Sequence, residues 1–160
     1  MTTAALHNVI LPGAMLAHGF WLYVWKAETP RGPLLYVGRT GDSSSPFATP
    51  PYRRMGQHLG HQKTQNALRR HLKLRAIEAE HCKSFQMTCF GPLFEQQANM
   101  EAHRGPRDTV AALEKKLADT LRAAGYDVVN AVSCRIPVDD ELWAKVRHAF
   151  SSEYPHLLET

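Results

Sequence analysis

Two short tyrosine-bearing runs constrain the fold more than any other part of the chain. They are Leu22-Tyr23-Val24-Trp25 and Leu35-Tyr36-Val37-Gly38-Arg39-Thr40. Both are rich in β-branched and aromatic residues, which suit a pleated, half-buried surface. The polar stretch between them, residues 26–33, carries several turn formers. The two runs therefore read as a β-hairpin over residues 19–40, closed by a loop longer than the two-residue minimum. Strand alternation sends Tyr36 and Gly38 to one face and Val37 to the other. One face can be buried while tyrosine hydroxyls stand near the end of the hairpin. Glycine inside a strand marks close approach by another backbone or a ligand.

At 160 residues the chain suits one domain with a real core. Its apolar and charged fractions are ordinary for a soluble protein. Cys82, Cys89 and Cys134 are odd in number and lack metal-site spacing, so they are expected as reduced, mostly buried thiols in a cytoplasmic protein. No apolar run is long enough to cross a membrane, and the first 18 residues lack the basic start of a signal peptide. The net charge of +4 and pI near 9.1 fit a polyanionic partner without requiring one.

Residues 1–18 read as an arm on the domain. A long loop over residues 41–51 follows the hairpin. Residues 52–60 suit a short helix that puts Arg54 and His58 on one side. A longer helix is expected over residues 64–80, with Leu68, Leu72 and Ala76 on its apolar side. Arg69, Arg70, Lys73 and Arg75 lie around the rest, either as a solvated face or as a phosphate surface. Residues 84–90 alternate as a third strand, ended by Gly91-Pro92. Gly105-Pro106 is expected to break the chain, with Asp108 or Thr109 capping a strong helix to about residue 124. Gly125 suits the position after that helix. Residues 126–130 read as extended. Asp139-Asp140-Glu141 suit the start of a last helix that buries Leu142, Val146 and Phe150. The expected class is α+β, a small three-stranded, mostly antiparallel sheet flanked by helices. Residues 19–135 would form the main domain and 136–160 a helical extension of it.

Glu114 lies among Val110, Leu113, Leu117 and Leu121, on the inward side of its helix. A carboxylate there either snorkels to water or meets a cation. A hard divalent ion such as Mg²⁺ is often held by one or two carboxylates and several waters. His58-Leu59-Gly60-His61 lacks the further ligands that zinc needs. No P-loop, dinucleotide-binding glycine pattern or nucleophile elbow is present.

Taken in order, Tyr23, Tyr36, Gly38, Arg39, Arg54, His58, Glu114 and Asn130 resemble the GIY-YIG nuclease family over about residues 20–130. Leu22-Tyr23 stands for the first half of the paired motif and Tyr36-Val37-Gly38 for the second. Trp21 replaces the usual glycine, and the loop before Arg54 is enlarged. The resemblance implies a β-hairpin–α–β–α core and metal-assisted hydrolysis of a DNA phosphodiester. It implies one Mg²⁺ or Mn²⁺ at Glu114, a phosphate gripped by Arg54 and Arg39, and support from Asn130 near Glu114 or a tyrosine. Tyr23 or Tyr36 would be the base, the other positioning water or phosphate, and His58 a hydrogen-bonding aid or proton relay. Only about one free tyrosine in a thousand is ionised at pH 7, and lowering its pKa by three units takes roughly 4 kcal/mol. The ion and two arginines are the expected source of that stabilisation.

Specificity, whether for branched or damaged DNA, a restriction site or invading DNA, would come from the basic helix with Arg69, Arg70 and Lys73, the loop over residues 41–51, a homodimer or a partner protein. Two other functions fit the same fold. One is a nucleic-acid-binding module without turnover; the other is a protein-interaction adaptor using residues 137–154.

Overall fold

The computed structural model describes residues 3–43, 45–63 and 66–160. Strand β1 (Phe20–Thr29) is central, flanked by β2 (Gly32–Arg39) and β3 (Ser84–Phe94), both antiparallel to it. Helices α1 (Pro51–Leu59) and α2 (Ala67–Leu74) accompany one face. Helices α3 (Met100–Ala123) and α4 (Asp140–Ser151) cover the other. The expected α+β class, three-stranded sheet and C-terminal helix are all present. No helix among the described residues is long and apolar enough to cross a membrane.

Alternation along the strands assigns the layers. Leu22, Val24, Leu35 and Val37 point to α3 and α4, where they join Val110, Leu113, Leu117, Leu121, Val146 and Phe150 in the main core. Tyr23 and Trp25 face α1 and α2 and pack with Leu68, Tyr36, Met55 and Leu59.

Four expectations about element boundaries are corrected. First, the hairpin closes with a two-residue turn, Pro30-Arg31, because pairing continues to Thr29 opposite Gly32. The Thr29 hydroxyl donates to the Gly32 carbonyl (2.6 Å) and accepts from the Arg31 N–H (3.1 Å), and Gly32 takes a positive φ of 110°. The polar residues taken for a loop are the solvated ends of two strands.

Second, the helix expected over residues 64–80 is shorter; positions 64 and 65 lie outside the described residues. Helix α2 stops at Leu74, and Ala76 adopts a left-handed φ of 56°. The Ala76 N–H bonds the Lys73 carbonyl, and the Ile77 N–H bonds Leu72. This reversal returns Ile77 and Ala79 to Ala27, Leu34 and Leu72 while Leu74 stays exposed. Burial of the returning residues outweighs the pattern that would prolong the helix.

Third, β3 runs through Gly91-Pro92. As an edge strand it tolerates a proline without an N–H, and a bulge between Phe20 and Leu22 adjusts the register there. Gly91 lies so close to Trp21 that a Cβ would meet the indole at 2.9 Å. Fourth, Gly105-Pro106 does not break α3. Asn99 caps the helix by accepting from the Ala102 N–H (2.9 Å), and buried His103 packs on Phe20. Proline here removes one N–H near the helix start, and the capped, packed first turn holds it in line. Asp108 and Thr109 are therefore interior residues, not caps.

Other expectations hold. Gly125 ends α3 at φ 96°, and Asp139 caps α4 by accepting from the Leu142 N–H. The extended segment after Gly125 forms a parallel bridge from Val128 to Leu35 on the outer edge of β2. The three cysteines are unpaired but half-buried rather than buried.

Candidate active site

The site gathers at the Arg39 end of the edge strand β2. In the antiparallel register Tyr23 lies opposite Gly38, and Trp25 opposite Tyr36. A Cβ on Gly38 would stand 2.4 Å from the Tyr23 ring and hydroxyl. The glycine is thus the space into which the phenol folds.

Helix α1 brings His58 over both tyrosines. Its Nε2 lies 2.7 Å from the Tyr23 hydroxyl, and its ring centroid is 4.8 Å from that of Tyr36. His58 is 5 % exposed. Burial, aided by the Arg54 charge, lowers its pKa to about 4, so the imidazole is neutral at pH 7. Its Nδ1 is buried without a partner among the described residues.

Both phenols are held neutral. Burial raises the Tyr23 pKa well above its usual value; Arg54 opposes this, while Tyr36 and Glu114 add to it. Tyr36 is raised by burial and by Glu114, again against Arg54. The expected sources of lowering are a metal ion and two arginines. Arg54 acts in that direction on both rings, but desolvation outweighs it. Arg39 is taken up by an ion pair.

That pair joins two elements. Arg39 Nε donates to Glu114 Oε2 at 2.7 Å, and the carboxylate is only 13 % exposed. Burial raises the Glu114 pKa, and Arg39 opposes the rise. Arg39 lies opposite Leu22 in the register, hence on the α3 side of the sheet, whereas the tyrosines lie on the α1 side. The two sets of groups thus stand on opposite faces at the same end of β2. Glu114 is near enough to raise both phenols, and Arg54 near enough to act on Glu114.

Arg54 is ion-paired with Asp42, in the loop after β2. Asp42 was missed in the sequence, where it sits in a Gly-Asp-Ser-Ser-Ser run that signals only a turn. Its position three residues after Arg39 was the available clue.

Of the two expected neighbours, Glu114 and a tyrosine, Asn130 is tied to the strand beside Tyr36. Its Oδ1 accepts from the Val37 N–H (3.0 Å) and its Nδ2 donates to the Val37 carbonyl (2.7 Å). It fixes the backbone next to Tyr36. Arg69 bonds the Leu59 carbonyl through Nε and Nη2 and pairs with Glu80, so it caps the end of α1. Arg70 and Lys73 are exposed and make no ion pair among the described residues, and the charge of Arg70 reaches Tyr36.

Among the described residues no three His, Cys, Asp or Glu side chains form a metal cluster. Glu114 Oε1 takes no hydrogen bond there, while Oε2 is held by Arg39. One free carboxylate oxygen in a polar site fits a hard divalent ion coordinated mainly by water and substrate oxygens. Compared with protein-family models, with curated proteins and with solved structures, the chain finds no match.

Proposed function

We propose that the protein is a metal-dependent endonuclease of the GIY-YIG kind, hydrolysing DNA phosphodiester bonds. One observation carries the proposal. A hydrogen-bonded Tyr23–His58 pair, Tyr36, Arg54 and an Arg39–Glu114 pair come from separate elements to one end of β2.

Each side chain has a task. The Arg54 guanidinium offers planar paired donors to the phosphate, with Asp42 orienting it beforehand. Arg39 holds Glu114 in place and adds positive charge beside it. Tyr23 takes a proton from the attacking water while passing its own to neutral His58 across the 2.7 Å contact. No isolated phenolate need form, which suits phenols kept neutral by burial. Tyr36 orients water or phosphate. Glu114 would hold Mg²⁺ or Mn²⁺, which when bound offsets charge developing on the phosphate and the leaving oxygen. Exposed Arg70 and Lys73 extend the positive surface toward flanking phosphates. The unpaired thiols suit a reducing compartment, and the protein is taken as cytoplasmic.

Purified protein with Mg²⁺ or Mn²⁺ should nick supercoiled plasmid. Glu114→Gln should lower the rate at least about a hundredfold, the scale of losing a main electrostatic group. Wild-type rates in Glu114→Gln would remove the metal assignment. The second reading, a DNA-binding module without turnover, is favoured by the occupied Arg39–Glu114 and Arg54–Asp42 pairs. Salt-sensitive binding without cleavage in either metal would select it.

A further inference from the structure

Next to Arg54, the loop between β2 and α1 borders an open cleft of about 340 Å³. Its wall includes Asp42, Phe47, Thr49, Arg54 and Gln57. We propose that this cleft receives an unpaired nucleobase of the substrate strand next to the scissile phosphate, stacked on Phe47. The proposal rests on the nuclease reading for the identity of that phosphate.

Phe47 is 44 % exposed although its neighbour Ala48 is fully buried. Ala48 is pinned on both sides: its N–H donates to Gln96 Oε1 (2.9 Å), and its carbonyl accepts from the Gly19 N–H (3.1 Å). His18 meets the Phe47 ring edge-on at 5.3 Å. The aromatic is thus an anchored side chain that stays exposed at the cleft.

The polar wall selects a heterocycle over a phosphate. Asp42 places a carboxylate in the cleft, already paired with Arg54, so this wall offers little net charge to an anion. The same carboxylate accepts from exocyclic amines, and the Gln57 amide offers a donor and an acceptor together. Thr49 Oγ1 and Arg54 Nε are buried and lack partners among the described residues. Arg54 belongs both to this wall and to the phosphate grip, so base and phosphate would be held by adjoining parts of one side chain.

The test compares a labelled single-stranded octanucleotide with an abasic octamer of equal phosphate number, by fluorescence anisotropy on the full chain. Wild type should bind the base-bearing strand roughly tenfold tighter, the scale of one stacked base. Phe47→Ala should erase that preference and Phe47→Trp should keep it. Equal wild-type affinity for the two strands would overturn the proposal, as would a preference that survives in Phe47→Ala. Plasmid nicking, measured in parallel, separates the two claims. Nicking without a base preference sinks only the cleft assignment, and a preference without nicking sinks only the nuclease.

Discussion

The two faces of the sheet are built on opposite terms. Toward α3 and α4, β1 and β2 present Leu22, Val24, Leu35 and Val37 to a continuous apolar core. Toward α1 and α2 they present Tyr23, Trp25 and Tyr36, with His58 wedged among the rings and Trp25 Nε1 without a partner among the described residues. The first face supplies cohesion through buried apolar area. The second holds titratable groups where water is scarce, which shifts their proton affinities. A pleated strand makes such a division possible because neighbouring residues face opposite solvents.

The division predicts that stability resides mainly on the α3 side. Leu117→Ala, in the main core, should cost about 3–4 kcal/mol in urea unfolding. Leu68→Ala, on the tyrosine side, should cost visibly less; equal losses would break the contrast.

The next effect is pH-dependent. His58 titrates near pH 4 in the fold and near 6.5 when unfolded, so the unfolded chain binds the extra proton between these values. Stability should therefore fall as pH drops from 6.5 toward 4, by at most about 3 kcal/mol. His71, also lowered by burial, adds in the same sense. Glu114 works the other way, since its raised carboxyl favours protonation in the fold. His58→Gln should flatten the acid limb, and an unchanged limb would assign the loss elsewhere.

Asn130→Ala should cost about 2 kcal/mol by leaving both polar groups of the Val37 peptide without partners. It should also lower nicking by loosening Tyr36. The smallest stability effect belongs to Tyr23→Phe, about 1–2 kcal/mol, because a single buried group, His58 Nε2, is left without its partner. Nicking should nevertheless collapse if the hydroxyl passes the proton. Activity retained in Tyr23→Phe would move that role to Tyr36.

The hairpin tyrosines, the Arg54–His58 helix and the end of α3 at Gly125 were legible because local chemistry and global packing agree there. The turn at Pro30-Arg31, the early end of α2 and the unbroken α3 were not. In each, a distant partner decides: cross-strand pairing for the first, the return of Ile77 to the core for the second, and the Asn99 cap with His103 on Phe20 for the third. The site followed the same rule. Residue types and order pointed to Glu114, but its hold on Arg39, and Asp42 on Arg54, depend on contacts 75 and 12 residues apart in the chain. Asn130 was singled out, but its clasp on Val37 beside Tyr36 was not legible, since a side-chain amide that imitates a neighbouring strand leaves no pattern in the sequence.

That amide clasp has a mechanical consequence. From Glu114 the polypeptide runs along α3, turns at Gly125 and returns through Asn130 to the peptide beside Tyr36. Carboxylate and phenol are thereby links of one short closed circuit. Lengthening the return path by even one residue between Gly125 and Asn130 would detune their spacing without touching either group.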